Sequence, residues 1–197
     1  MPAAGKYMKT KGKHGAFLQN TKNAETYTGV SFRREEAFYS LQWLFNIKFI
    51  KEKRISDMNK VAVVYWSGTG NTELMAAKVA EGVRSAGAEA VLIKAAEFSG
   101  DRMDEFDAVA FGCPSMGVEQ LEETEFEPMF LSCESKLKGK KIALFGSYGW
   151  GDGEWMRSWE QTCTDDGAVF AHESVICNDA PDTEAETACA ALGASLA

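Results

Sequence analysis

The strongest structural signal in the chain is the stretch Lys60-Val-Ala-Val-Val-Tyr-Trp-Ser-Gly-Thr-Gly-Asn-Thr-Glu73. Its first half, up to Trp66, is a continuous run of β-branched and aromatic residues, which is typical of a parallel strand buried on both faces. The glycines of Ser67-Gly-Thr-Gly70 break this run. From Thr72 to Ala86 the apolar residues recur at helical spacing, and Gly87 provides a C-terminal cap. The stretch therefore predicts a strand, a glycine-rich loop and a helix.

The same unit of strand and helix recurs along the chain. Four further strands are predicted, at Ala90 to Lys94, Asp107 to Gly112, Lys141 to Gly146 and Ala168 to Ile176. Three further helices are predicted, at Glu122 to Lys136, Gly153 to Thr164 and Thr183 to Leu196. The polar link from Ser99 to Glu105 is too short for a regular helix. This alternation predicts an α/β fold, an open five-stranded parallel sheet with helices on both faces, whose ligands bind at the carboxyl ends of the strands.

Composition places the chain among globular proteins and divides it into two parts. Of its 197 residues, 45% are hydrophobic and 25% are charged, which argues against fibrous classes and against disorder along the whole length. The 29 acidic and 21 basic side chains argue against nucleic acid as the main partner. Residues 1–57 hold 11 basic and 5 acidic side chains, whereas residues 58–197 hold 10 and 24, a net charge of −14.

Residues 1–57 therefore form a basic N-terminal extension to a domain at 58–197. The first half of the extension lacks hydrophobic periodicity, which predicts disorder. Phe32 to Ile50 is rich in aromatic residues and predicts a helix that would bind a membrane surface or a partner protein. Alternatively, the extension is not part of the native protein, because Met58 stands directly before the first strand, where such a domain would begin. These interpretations remain open.

The five cysteines predict a reducing compartment, and we expect the protein in the cytoplasm. They form no CxxC pair, and an odd number on a chain of this length is no disulfide framework. The sequence contains no run of about 18 or more apolar residues, so it predicts no membrane-spanning helix. A cleavable signal peptide is not expected either, because the longest apolar stretch, Ala37 to Ile50, starts well inside the chain.

The loop Ser67 to Thr72 predicts a phosphate site. Backbone amides of a tight turn at a helix N-terminus converge on an anion, and the loop adds hydroxyl and amide side chains. It is not a Walker loop, because it has no lysine, and not a dinucleotide fingerprint, because Glu73 stands where a glycine is needed. A loop that offers hydrogen-bond donors but no cationic side chain suits a terminal phosphate monoester.

Two further loops follow the third and fourth predicted strands, Cys113 to Leu121 and Ser147 to Gly153. Each combines flexible backbone with one large polarisable side chain, Met116 in the first and Trp150 in the second. A flat heteroaromatic ring would fit between them, with the indole on one face and the thioether on the other. Glu119 would accept a hydrogen bond from a ring N–H.

Several motifs together resemble the short-chain flavodoxins of anaerobic bacteria. They are Tyr65-Trp-Ser-Gly-Thr-Gly-Asn-Thr-Glu73, Gly112-Cys-Pro-Ser-Met-Gly117, Glu125-Phe-Glu-Pro128, Leu137-Lys-Gly-Lys-Lys141 and Leu144-Phe-Gly-Ser-Tyr-Gly-Trp-Gly-Asp-Gly-Glu-Trp155. The resemblance covers residues 58–197 and leaves out residues 1–57. It implies a flavodoxin-like sheet in the order 2-1-3-4-5, non-covalent FMN, and low-potential one-electron transfer between redox proteins.

The resemblance also assigns the cofactor contacts. Residues 67–72 match the phosphate loop, Trp150 the stacking platform, residues 116–119 the segment facing flavin N5 and N3, and residues 147–153 the donors to the pyrimidine edge. Val118 stands at a position that varies within the family. The full set of expected FMN-binding residues is Ser67, Gly68, Thr69, Gly70, Asn71, Thr72, Pro114, Ser115, Met116, Gly117, Val118, Glu119, Ser147, Tyr148, Gly149, Trp150, Gly151, Asp152 and Gly153.

No catalytic residue and no metal ligand is expected, because His14 and His172 have no evident catalytic partner. The protein would instead set the potentials of the flavin. The Gly117 carbonyl would rotate to accept a hydrogen bond once N5 carries hydrogen, since glycine tolerates the flipped turn. The net charge of −14 and the electron-rich ring of Trp150 would then disfavour a second electron.

We expect a monomer that docks on basic surfaces of reductases and electron acceptors through acidic side chains around the flavin. The candidates are Glu119, Glu122, Glu123 and Glu125. The alternative is an FMN-dependent NAD(P)H:quinone oxidoreductase on the same fold. Such an enzyme needs a nicotinamide site, usually built by inserted loops and by oligomerisation, and the compact domain has no evident room for one.

Overall fold

The computed structural model describes residues 58–197. The disorder and the helix predicted within the extension, residues 1–57, lie outside these described residues. Strands occupy Lys60–Tyr65 (β1), Glu89–Lys94 (β2), Ala108–Gly112 (β3), Lys141–Tyr148 (β4), Val169–Phe170 (β5) and Val175–Asn178 (β6). Helices occupy Asn71–Ser85 (α1), Phe126–Cys133 (α2), Glu154–Asp165 (α3) and Thr183–Leu196 (α4).

All strand pairs are parallel, and the sheet runs β2-β1-β3-β4-β5, with β6 also paired to β4. This order confirms the predicted open α/β sheet. Tyr65 lies beside Gly112 in the register of β1 and β3, and Gly112 lies beside Phe145 in that of β3 and β4. The loops after these three strands therefore meet at the carboxyl end of the sheet.

Helices cover both faces of the sheet. On one face, Val61 and Val63 of β1 pack with Met75 of α1 and Leu192 of α4 in a buried cluster. On the other face, Ala62 and Val64 belong to a cluster that contains Phe126 and Phe130 of α2 and Trp155 and Trp159 of α3. Alternate residues of β1 thus point to opposite sides, and both sides are buried, as its continuous apolar sequence predicts.

The fifth predicted strand, Ala168 to Ile176, is in fact two short strands. Phe170 of β5 pairs with Ile142, and Val175 of β6 pairs with Phe145, so the four residues 171–174 lie opposite only two residues of β4. Because this stretch has two more residues than β4 offers as partners, it cannot stay in register, and the ladder of hydrogen bonds to β4 is interrupted. The polar run His172-Glu-Ser174 occupies the break, and β6 continues to Asn178.

The helix predicted from Glu122 to Lys136 is also shorter, because α2 begins only at Phe126 and is followed by a 3₁₀ turn at Glu134–Lys136. Residues 122–125 form a capped loop instead. The link between β2 and β3 contains two 3₁₀ turns, Ala95–Glu97 and Gly100–Glu105. Within residues 58–197, no helix combines the length and the hydropathy that crossing a membrane would require.

Candidate functional site

The predicted phosphate loop joins β1 to α1 at the carboxyl end of the sheet. Ser67 Oγ accepts a hydrogen bond from Gly70 N–H at 3.0 Å, which closes the loop on itself. The first helical hydrogen bond runs from Leu74 N–H to Gly70 O at 3.0 Å. The amides of residues 71–73 precede this bond, so they lack carbonyl partners in the helix and carry the positive end of its dipole. The arrangement can bind an anion without a cationic side chain.

Two predicted site residues, Thr72 and Ser147, link this loop to β4 through their hydroxyls. Thr72 Oγ1 and Ser147 Oγ lie 3.2 Å apart, and both side chains are buried. Ser147 O also accepts a hydrogen bond from Ser115 N–H at 2.9 Å. Ser147 therefore joins all three candidate loops, and its hydroxyl lies within hydrogen-bond distance of another protein group.

The loop after β3 forms a tight turn at residues 116–120. Met116 N–H donates to Gln120 O at 2.8 Å, and Gln120 N–H donates to Met116 O at 2.9 Å. Gly117 has φ of 52°, a left-handed conformation that glycine adopts without strain, and a Cβ there would meet nothing nearer than Gln120 Nε2 at 3.7 Å. The turn leaves Val118 79% exposed.

Glu119, at the end of this turn, reaches the loop after β4. Its Oε1 accepts hydrogen bonds from Asp152 N–H (2.8 Å) and Gly153 N–H (3.2 Å), and its Oε2 accepts one from Glu154 N–H (2.9 Å). The structure thus brings together, through one carboxylate, the two loops that the sequence predicts to face a flat ring. An ionised carboxylate oxygen can accept two hydrogen bonds, so Oε2 keeps capacity for one more donor.

Glu122 does not belong to an exposed acidic surface, which corrects the prediction made for it. Its side chain is 5% exposed, and its carboxylate accepts hydrogen bonds from the Thr124 hydroxyl and from the amides of Thr124, Glu125 and Phe126. Burial raises the pKa of this carboxyl, but the hydrogen bonds outweigh burial and leave the pKa lowered. Glu122 therefore caps the start of α2.

Three aromatic side chains near the site differ in exposure. Trp150 is 62% exposed, and Met116 of the facing loop is 36% exposed. Tyr148 packs on Trp155, with ring centroids 5.6 Å apart, and Trp66 packs against the core. Trp150 is thus the most exposed of these three aromatic rings.

Tyr65, the last residue of β1, donates from its hydroxyl to Glu73 Oε1 at 2.9 Å. Burial, followed by the hydrogen bond to Glu73, raises the Tyr65 pKa to about 12. The phenol therefore stays protonated at neutral pH. It lines a cavity of about 300 Å³ beside Ser67, together with Lys94 and Glu97.

The acidic side chains around the site fall into two groups. Glu123 and Glu125 are exposed. Asp152 and Glu154 are paired with Arg157, whose Nη2 lies 2.8 Å from Asp152 Oδ1 and 2.7 Å from Glu154 Oε2. These two hydrogen bonds raise the Arg157 pKa. Arg157 therefore offsets part of the negative charge of these two exposed carboxylates.

Three positioning roles were not predicted, namely the cap by Glu122, the link between Thr72 and Ser147, and the contact of Glu119 with the amides of residues 152–154. Acidic residues directly before a helix were the available signal for Glu122, since Glu122-Glu-Thr-Glu125 precedes Phe126 and Pro128 stands in the first turn. No local signal predicts the contact between Thr72 and Ser147. Among residues 58–197, no group of three or more His, Cys, Asp or Glu side chains could hold a metal ion.

Comparison with known proteins places this geometry in context. A family model described as Flavodoxin matches residues 63–193. The chain is 44% identical over 137 residues to the flavodoxin of Megasphaera elsdenii, covering 70% of this chain and 98% of that protein. It is also 44% identical over 135 residues to the flavodoxin of Clostridium beijerinckii, covering 68% of this chain and 97% of that protein.

Solved structures agree with these matches. The solution structure of two-electron reduced Megasphaera elsdenii flavodoxin aligns with a TM-score of 0.65, covering 69% of this chain and 97% of that one. A flavodoxin from the domain Archaea, 25% identical, aligns with a TM-score of 0.63, covering 70% of this chain and 95% of that one.

Proposed function

The chain belongs to the flavodoxin family and is an FMN-binding electron-transfer protein rather than an enzyme, and we propose that its three loops at the carboxyl end of the sheet hold the flavin. The observation that carries this proposal is the network joining the loops: Thr72 to Ser147, Ser115 to Ser147, and Glu119 to the amides of residues 152–154. Such a network holds the contact groups in place before the ligand arrives, which lowers the entropy cost of binding.

The residues present fit FMN. The amides at the start of α1 suit a monoester phosphate, and the loop from Ser67 to Thr72 supplies no cation that a diphosphate would favour. Trp150, 62% exposed, and Met116, 36% exposed, offer an aromatic face and a thioether to a flat ring. Bound FMN supplies the one-electron chemistry, and the protein positions the ring and tunes its potentials.

Gly117 would supply the redox-sensitive contact. The carbonyl of this residue belongs to a turn whose base is held by the hydrogen bonds between Met116 and Gln120. With the base fixed, the peptide between Gly117 and Val118 can rotate on its own, and the nearest atoms around Gly117 belong to the flexible Gln120 side chain, at 3.7 Å or more from the position of a Cβ. The carbonyl would then accept a hydrogen bond from flavin N5–H.

Glu123 and Glu125 would guide redox partners with basic surfaces. Both side chains are exposed on the loop that follows the turn at residues 116–120, and the domain carries a net charge of −14. Complementary charge accelerates encounter and is screened by salt. We further infer that the protein acts in the cytoplasm, because its five cysteines are free thiols, as a reducing compartment maintains. We also propose that it acts as a monomer, as expected from the sequence.

One experiment tests the site directly. The apoprotein is titrated with FMN, and the holoprotein is then reduced stepwise under anaerobic conditions while its visible spectrum is recorded. We expect tight stoichiometric binding and two separate one-electron steps. Binding that is unchanged after replacing Trp150 and Gly117 together would place the flavin elsewhere.

The enzyme alternative is not favoured. A NAD(P)H:quinone oxidoreductase would oxidise NADH steadily without a separate reductase. We expect no such turnover from the purified holoprotein, whereas electron transfer should appear when a flavodoxin reductase is added.

A further inference from the structure

A cavity of about 300 Å³ lies at the carboxyl ends of β1 and β2. Its lining includes Tyr65, the last residue of β1, and Lys94, the last residue of β2. In the sheet order β2-β1-β3-β4, this cavity lies on one side of β1 and the loops after β3 and β4 lie on the other. It is therefore separate from the space proposed for the flavin ring.

Carboxylates dominate the charged lining of the cavity. Glu73, Glu97 and Glu125 line it, and they stand against a single ammonium group, that of Lys94. Within residues 58–197, none of these carboxylates forms an ion pair with Lys94. The lining therefore carries a net negative charge, which attracts a cation.

The contact between Tyr65 and Glu73 fixes one wall of the cavity. Tyr65 is 7% exposed and donates from its hydroxyl to Glu73 Oε1 at 2.9 Å. Burial, followed by this hydrogen bond and by the negative charges of Glu73 and Glu97, raises the Tyr65 pKa to about 12. Among residues 58–197, Glu73 Oε2 has no hydrogen-bond partner, so it remains an acceptor for a ligand.

Trp66 provides an aromatic wall and connects the cavity to the phosphate loop. Its side chain is partly buried and packs against the core. A Cβ at Gly68 would lie 2.9 Å from Trp66 Cη2 and 3.2 Å from Trp66 Cζ3, so the six-membered ring of the indole lies against the loop at this glycine. An indole held in this way offers a rigid surface on which a planar cation stacks.

We propose that this cavity receives an arginine side chain of the redox partner. A guanidinium group is planar, stays charged and has several N–H donors, so it can stack on Trp66 while it donates to Glu73 and Glu97. Glu125, which belongs to the proposed docking surface, also lines the cavity, so the two are continuous. The inference rests on the proposed function and deepens it, because it names the group by which a basic partner is recognised.

The first test titrates the FMN-bound protein with N-acetyl-L-arginine amide, while NMR follows the Trp66 indole and the amides of residues 94–97. The citrulline analogue has nearly the same shape without the charge, and the lysine analogue has the charge without the planar group. We expect saturable binding of the arginine probe, binding of the lysine probe weaker by at least about threefold, and no binding of the citrulline probe. Equal binding of the arginine probe and either analogue would overturn the proposal.

Two variants change the charge of the cavity in opposite directions. Glu97→Gln removes a negative charge and should weaken binding of the arginine probe by at least about threefold, whereas Lys94→Met removes the positive charge and should strengthen it by a similar factor. Glu89→Gln is the matched control and should leave binding parental, because Glu89 is exposed at the amino end of the strand that ends at Lys94. Effects of the same sign in the two cavity variants would contradict recognition of a cation.

The second test determines whether a redox partner uses the cavity. Reduction of the FMN-bound protein by a flavodoxin reductase is followed by stopped flow at constant low ionic strength. A saturating concentration of the arginine probe, or Glu97→Gln without any probe, should lower the second-order rate constant by at least about threefold. The citrulline probe and Glu89→Gln should leave it unchanged.

A parental rate constant in the presence of saturating arginine probe would overturn docking through a partner arginine. Failure of the protein to bind FMN would instead refute the proposed FMN site. In that case the same titration of the Trp66 indole, carried out on the protein without flavin, would still decide whether the cavity binds a guanidinium group.

Discussion

At the two ends of the sheet, backbone groups of helices and turns bind side chains of opposite charge, although at the amino end Asp107 Oδ2 also accepts a hydrogen bond from Lys60 N–H of β1 at 2.7 Å. At the carboxyl end, Glu119 and Glu122 accept hydrogen bonds from the amides that precede and begin α3 and α2. At the amino end, which comprises residues 103–107 and 135–141, Lys140 Nζ donates to Met103 O at 3.1 Å and to Phe106 O at 2.8 Å.

Chain direction explains this difference. In a parallel sheet each crossover helix begins near the carboxyl end, so free N–H groups and positive dipole ends collect there, and carboxylates complement them. Helices and turns finish at the amino end, where free carbonyls collect and cations complement them. Lys140 illustrates this, because the carbonyls it binds belong to the turn Gly100–Glu105 and to the residue after it.

This difference between the two ends of the sheet indicates where an anionic cofactor can bind. The amino end has four lysines between residues 136 and 141, but Lys136 is paired with Asp104 and Lys140 serves two carbonyls. The carboxyl end has amides at the start of α1 that no side chain within residues 58–197 caps. Backbone amides, and not lysines, should therefore bind the phosphate.

Removing the phosphate from the ligand should have the largest effect. Riboflavin forfeits several charge-assisted hydrogen bonds of about 1.5 to 3 kcal/mol each, so its affinity should fall by more than about a hundredfold relative to FMN. Fluorescence titration of the apoprotein measures both. Lys138→Gln at the amino end is the control and should leave FMN affinity unchanged. Equal affinity for the two flavins would refute the assignment of residues 67–72.

Replacing Glu122 by alanine should have the next largest effect, a loss of stability. The amides of Thr124, Glu125 and Phe126 lose their acceptor, at a cost of about 2 to 3 kcal/mol of unfolding free energy in urea. Because the folded-state pKa of Glu122 lies below its ordinary value of 4.5, its contribution is present above that pH and is lost as pH falls through the folded pKa. The difference between parent and variant should therefore shrink below pH 4.5.

Lys140→Met at the amino end sharpens this test, because it also removes a side chain that binds backbone groups, here the carbonyls of Met103 and Phe106. It should lower the unfolding free energy while FMN affinity stays parental. Glu122→Ala should lower both, since Glu122 lies on the loop that carries the turn at residues 116–120. Equal loss of FMN affinity in the two variants would contradict the prediction that only the carboxyl end of the sheet binds the cofactor.

Trp150→Ala should weaken FMN binding. The lost aromatic contact should contribute about 0.5 to 1.5 kcal/mol, in addition to the free energy lost with the buried apolar area. The substitution should also raise the second reduction potential, because an electron-rich ring no longer faces the flavin. Potentiometric titration gives the potential, and Trp150→Tyr should restore much of the affinity. Unchanged affinity and potentials would move the platform to Trp66 or Tyr148.

Gly117→Thr should have the smallest effect on binding and a specific effect on the first potential. A β-branched residue at φ of 52° costs about 1 to 2 kcal/mol, so the turn should resist presenting its carbonyl to N5. The first potential should fall, with Gly117→Ala between parent and threonine. Gly139→Thr is the matched control at the amino end, since Gly139 has φ of 75° and open surroundings. A first potential that stays parental in Gly117→Thr would refute the switch.

Local patterns predicted most of the fold and the three loops of the site. The apolar run of β1 and the helical spacing after Asn71 each depend on neighbouring residues, so they could be recognised directly. The interruption between β5 and β6 could not, because it depends on the register of β4 across the sheet. A run of polar residues at 172–174 does not by itself distinguish a bulge from a surface strand.

The sequence by itself determined most of the elements, their order, and which loops meet at the carboxyl end of the sheet, because hydrophobic periodicity and glycine-rich breaks are properties of short segments. Only the tertiary structure decided what the polar side chains bind. Thr72 meets Ser147 across 75 positions, and Glu119 reaches Asp152 across 33. Glu122, which the sequence placed on the surface, is buried because its carboxylate accepts hydrogen bonds from the free amides at the start of α2.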